Sequence, residues 1–149
     1  MTAPDGSGPL PPRRLSDDEI AELRAPYERL IGFVPPRILA RTDLGARIDP
    51  ELLPLQEAAR LRAMYPACFD AKTSRLMLFG ILLALMSDAA RLHAIAARRA
   101  GASWEELSAV VGLAYLFRGL PAANLGAEVR QKLAGAEGQG RRTPGDAPA

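Results

Sequence analysis

Residues 70–101 read DAKTSRLMLFGILLALMSDAARLHAIAARRAG. Asp70 is an N-cap for a helix over about 71–86, because its short carboxylate accepts from backbone N–H groups that the first turn leaves unpaired. Within that helix the run Leu76 to Met86 is apolar on nearly every side, the mark of a helix buried all round. The run is eleven residues long, too short to cross a bilayer, so no membrane partner is expected. Ser87-Asp88 restarts the chain into a helix over about 88–100, and Gly101 stands where a left-handed C′ residue closes it.

The same punctuation extends on both sides. Ser103-Trp-Glu-Glu106 is a capping box and opens a helix carrying Leu107, Val110, Val111, Leu113, Ala114 and Phe117. Gly119-Leu-Pro121 breaks that helix, and Pro121 starts a last one through Leu133. Upstream, Ser16-Asp-Asp-Glu19 is another capping box, followed at helical spacing by Ile20, Leu23, Tyr27, Leu30 and Ile31, with Gly32 as the stop. Pro35-Pro36 begins a short turn of helix through Leu39. Asp49-Pro50-Glu51 opens a helix with Leu52, Leu55, Ala59 and Leu61 or Met64 inward, and Pro66 ends it. No β-branched alternation is long enough for a strand. The expected architecture is all-α, a bundle of about six or seven helices.

Composition bounds the rest. The chain has 149 residues, which suits one domain. The first and last fifteen residues hold 12 of the 26 Pro and Gly and show no periodicity, so 1–15 and 135–149 read as disordered tails around a single domain at 16–134. Nineteen basic and 17 acidic residues leave a net charge of +2 with no long run of one sign, and no nucleic acid is expected as a partner. The helix pair over 88–118 has the outline of a helix-turn-helix, but its second helix offers no basic residue before Arg118. One Cys excludes a disulfide framework, and one His excludes a multi-His metal site. Neither a metal nor a cofactor is expected. Arg outnumbers Lys 17 to 2, the usage of a GC-rich bacterial genome. No basic start followed by an apolar stretch marks a secretory signal, so the expected location is the cytoplasm.

Four pieces, in order, resemble the carboxymuconolactone decarboxylase family, which shares its fold with AhpD-like alkylhydroperoxidases. They are Asp70-Ala-Lys-Thr73, Arg91-Leu92-His93, Ala100-Gly-Ala-Ser-Trp-Glu-Glu-Leu107 and Gly119-Leu-Pro-Ala-Ala-Asn124. The resemblance spans about 65 residues, Asp70 to Gly135. It implies an AhpD-like helical bundle, assembled as a homotrimer or homohexamer with pockets near subunit contacts. In the peroxidase branch two cysteines and a glutamate precede the histidine, and the matching positions here are Met86, Ala89 and Ser74. Dithiol chemistry needs an attacking and a resolving thiol, so the chain is not expected to be a peroxidase. The decarboxylase branch lacks the cysteines and keeps Arg-Leu-His. Before the proline turn, a family tyrosine becomes Phe117 and a small residue becomes Arg118, changes that reshape a pocket.

His93 is the candidate catalytic residue. Imidazole exchanges protons near neutral pH, and its neighbours at three and four positions are Ala89, Ala90, Ala96 and Ala97. Four small side chains mean either a close helix crossing or space for a ligand beside the ring. Decarboxylation of an unsaturated acid needs a held carboxylate, a cation near the developing dienolate and a proton for carbon. Arg118 is the candidate catalytic cation, and Arg75, Arg91, Phe117 and Met86 are candidate substrate contacts. The expected function is a cofactor-free lyase or isomerase acting on a small unsaturated carboxylic acid or lactone. A non-catalytic oligomeric scaffold of the same fold is the alternative. Cys68 reads as a small buried hydrophobe, and Trp104 as a packing anchor.

Overall fold

The computed structural model describes residues 13–140, with side chains as far as Gly138. The described residues form seven helices and no strand: α1 Asp17–Ile31, α2 Pro36–Ile48, α3 Leu52–Met64, α4 Ala71–Ala84, α5 Ala90–Arg99, α6 Trp104–Arg118 and α7 Leu120–Gly140. The fold is all-α. Residues 1–12 and 141–149 of the expected tails lie outside the described residues, and α7 runs on as helix past residue 134 to Gly140. No helix of the described residues is long and apolar enough to cross a membrane.

The local signals act as the residues dictate. Ser16 and Ser103 each accept from the backbone N–H three residues on, and Glu19 and Glu106 reach back to the cap N–H. Asp70 accepts from the Thr73 N–H at 2.8 Å and starts α4. Gly32 ends α1 at φ 96°, a left-handed conformation that a side chain would strain. Helix α2 is a full 13 residues rather than a short turn. Its polar middle is held from α1, where Arg24 donates to Thr42 Oγ1 at 2.8 Å and to Asp43 Oδ1 at 2.6 Å.

The hydrophobic core belongs to α4–α7. Phe79, Leu83, Ala90, Ala94, Ala97, Leu107, Ala114 and Val129 pack together, and no residue of α1–α3 joins that cluster. Helix α4 lies against α5 and α6, and α6 against α7. The α6–α7 approach is close enough that a Cβ on Gly126 would sit 2.5 Å from Val111 Cγ2. Helix α1 lies on α5 and carries α2 and α3 with it as a second layer.

Helix α4 is buried only in part within one chain, with Met77, Ile81 and Leu85 on an open face, so full burial of this helix would need further subunits. Two expectations change. Helix α3 turns a different side inward: Leu53 and Glu57 are buried while Leu52 and Leu55 are exposed. A glutamate can take the inward place because cations and a phenol meet it there, whereas a leucine on the outer face costs little. Cys68 is exposed, since the link between α3 and α4 runs over the surface rather than into the core.

Candidate active site around His93

Helix α5 presents two faces. Ala90, Ala94 and Ala97 face the core, whereas Ala89, Leu92, His93 and Ala96 face the layer made by α1–α3. Small residues thus serve both purposes, close packing on one side and open space on the other. That space is a cavity of about 180 Å³, closed opposite α5 by Leu30 of α1, Ile38 of α2 and Arg60 and Met64 of α3. Its walls are chiefly hydrocarbon.

His93 is the polar group of the α5 wall. Its Nδ1 is fully buried and has no hydrogen-bond partner. Burial, and secondarily the positive charge of Arg60, pull its pKa from the ordinary 6.5 to about 4. At neutral pH the ring is uncharged.

The opposite wall rests on a buried ionic cluster. Glu57 accepts from Tyr27 Oη at 2.9 Å, from Arg60 Nη2 at 3.0 Å and from Arg60 Nε at 3.2 Å, and it pairs with Arg41. Arg41 also donates to Tyr27 Oη at 2.9 Å. The Arg60 guanidinium stacks on the Tyr27 ring, 4.4 Å from its centroid. Burial alone would raise the Glu57 carboxyl, but the Arg41 hydrogen bond and the Arg60 charge outweigh it and hold the group below the usual carboxylate range. Burial pushes the Tyr27 phenol up to about 12. Both stay in one protonation state across the physiological range, so the cluster fixes Arg60 in place.

The sequence-derived residues separate. His93 lines the cavity. Arg75 stands behind its wall, donating to the Ala96 carbonyl at 3.3 Å with its Nε buried and unpartnered. Its charge opposes the upward push of burial on the Tyr65 phenol, which does line the cavity. Arg91 lies on the other side of Leu92, in a separate hollow of about 340 Å³ with Phe33 and Asp88. Met86 bends the α4–α5 link at φ 56°, and Phe117 and Arg118 are exposed at the far end of α6. None of Arg91, Met86, Phe117 and Arg118 lines the His93 cavity.

Three arginines line it, Arg37, Arg41 and Arg60, all of which sequence reasoning missed, and the one whose charge acts on His93 is Arg60. Its i,i+3 spacing from Glu57 is visible in the sequence, but any exposed helix pair shows the same spacing. Among the described residues no group of His, Cys, Asp and Glu is placed to hold a metal ion. No protein-family model, curated protein or solved structure matches this chain.

Proposed function

We propose that the chain is an acid–base enzyme of the carboxymuconolactone decarboxylase type, with an AhpD-like bundle, acting without a cofactor on a small unsaturated carboxylic acid or lactone. The observation that carries this reading is the unpartnered, buried Nδ1 of His93 in an apolar cavity that also holds Arg60. An imidazole kept neutral by burial begins a reaction as a base. It removes a proton from the carbon next to the acid or lactone carbonyl. That C–H bond breaks, the electron pair spreads into a dienolate, and the guanidinium of Arg60 stabilises the developing negative charge. The imidazolium then returns the proton to a carbon further along, which shifts the double bond. Loss of carbon dioxide from a lactone that carries a separate carboxylate breaks a C–C bond instead, leaves its electron pair in a dienolate of the ring, and likewise needs a proton delivered to carbon. The neutral resting state of His93 favours the double-bond shift, where proton removal comes first.

The second part of the proposal is assembly with further copies of the chain, as a trimer or hexamer. The exposed faces of α4 and α6 frame a groove of about 450 Å³ lined by Met77, Gly80, Ile81, Val110, Leu113 and Phe117. Leu85, Leu116 and Leu120 are exposed as well, and apolar surface of this kind is what a second copy of the chain would cover.

The test is solvent-deuterium incorporation, followed by proton NMR, into β,γ-unsaturated acids and butenolides incubated with the protein in heavy water. Wild type is expected to incorporate deuterium or shift the double bond, and His93→Gln to lose at least about 100-fold of that rate. Equal silence in both proteins, with assembly unchanged, favours the non-catalytic scaffold instead.

A further inference from the structure

The charges around the His93 cavity do not balance, and the excess has a direction. Arg37 lines the mouth but is held by Asp88 through two bonds of 2.7 and 2.5 Å. Arg41 and Arg60 share a single carboxylate, Glu57. The three arginines that line the cavity thus meet two carboxylates, Asp88 and Glu57, and one positive charge is left over. Excess charge next to an apolar cavity is costly unless an anion arrives to meet it.

The hydrogen-bond inventory of Arg60 says where that anion sits. A guanidinium has five N–H donors. Nε and Nη2 each give one to Glu57, and Nη1 gives one to Met64 Sδ at 3.2 Å. One N–H remains on each terminal nitrogen, the spacing at which two carboxylate oxygens are bound side by side. The Arg60 side chain keeps about a quarter of its surface exposed, whereas His93 Nδ1 is fully buried. The charged end of a ligand thus belongs toward Arg60, and the apolar part toward His93.

Size sets the rest. A cavity of ~150 Å³ accepts benzene, so the 180 Å³ here holds one ring with its carboxylate at the mouth and has no room for a second ring. We infer that the His93 cavity binds a monocarboxylate carrying a single ring, with the carboxylate on the terminal nitrogens of Arg60 and the ring against Leu30, Ile38, Met64 and Leu92. A second carboxylate has no further unpaired arginine in the lining to meet it and would be stranded against hydrocarbon. This ligand class rests on the proposed acid–base reading of the same cavity and narrows its substrate.

Four probes separate the requirements: benzoate, toluene, terephthalate and 2-naphthoate. Each is titrated into the full chain by calorimetry and by the resonance of the single imidazole. Benzoate is expected to shift the His93 signal and to bind at least tenfold tighter than the other three. Arg60→Met is expected to reduce the benzoate preference over toluene at least tenfold, with circular dichroism confirming the helical fold. The wild-type series decides the matter even where that variant fails to fold. Toluene binding as well as benzoate overturns the charge requirement, and 2-naphthoate or terephthalate doing so overturns the single-ring or single-charge requirement. Failure of all four overturns the ligand class. Benzoate binding by a protein that incorporates no deuterium into any unsaturated acid leaves the ligand class standing and overturns the acid–base reading. Deuterium exchange confined to two-ring or dicarboxylic acids does the reverse.

Discussion

The two sides of the molecule handle open space in opposite ways. On the α1–α3 side, the chain closes a cavity over α5 with its own residues and sets three arginines and two tyrosines around it, with a buried glutamate behind them. On the α4–α6 side, a larger hollow is lined almost wholly by hydrocarbon and stays open. Polar groups inside a protein are expensive unless paired, and of the three left unpartnered among the described residues, Ser74 Oγ, Arg75 Nε and His93 Nδ1, only the last belongs to a residue that lines the cavity. Open hydrocarbon costs less within one chain and is relieved by a surface of the same kind. The contrast is what the proposed chemistry on the one side and the proposed association on the other rest on.

The strongest way to break that contrast is to remove the carboxylate. Glu57→Ala leaves Arg41, Arg60 and Tyr27 without their shared acceptor. Loss of one partner from a buried ion cluster costs about 3–5 kcal/mol, read as a fall in the urea midpoint. A loss under about 1 kcal/mol would mean that the arginines simply turn to water, and the enclosed side would be no more committed than the open one.

Acid probes the same side through His93. Its pKa is about 4 folded against 6.5 unfolded, so the unfolded chain binds the proton first as pH falls. The stabilisation is complete above pH 6.5 and is lost as pH falls toward 4, for a total near 3 kcal/mol. His93→Gln is expected to flatten the stability curve across that window. A smaller step, about 2 kcal/mol, is expected for Gly126→Ala, because the new methyl meets Val111 on a neighbouring helix and one of the two must shift.

The sequence showed where helices begin better than what they face. The caps at Ser16, Asp70 and Ser103 are local devices complete within four residues, and all three form as their spacing dictates. The length of α2 was hidden because its stability is borrowed: the Thr42 hydroxyl and the Asp43 carboxylate are tied down by Arg24, eighteen and nineteen residues away. The inward side of α3 was hidden for a related reason. Glu57 is buried only because Tyr27 and Arg41, thirty and sixteen residues upstream, converge on it, and a rule that sends leucines inward chooses the wrong face. His93 was legible as the one imidazole with small neighbours. Its cation was not, because Arg60 becomes a site residue only after α3 folds across α5.

Phe117 tests the open side with the smallest expected effect on the chain itself. It is 86% exposed, so its ring gains little from folding. Phe117→Ser is expected to change the stability of the dilute chain by no more than about 0.5 kcal/mol, the ordinary range for a surface position. Its effect should fall on assembly instead. If copies of the chain meet at the α4–α6 groove, the ring lies near the centre of the contact, where truncating an aromatic typically costs about 2 kcal/mol or more. Sedimentation velocity across a dilution series then shows the variant dissociating at concentrations where wild type stays associated. Thermal midpoints should depend on concentration for wild type and less so for the variant. A variant that loses stability as a monomer, with no change in mass, would mean that the groove is closed by this chain's own residues. The division between an enclosed reactive side and an open associating side would then fail at its second half.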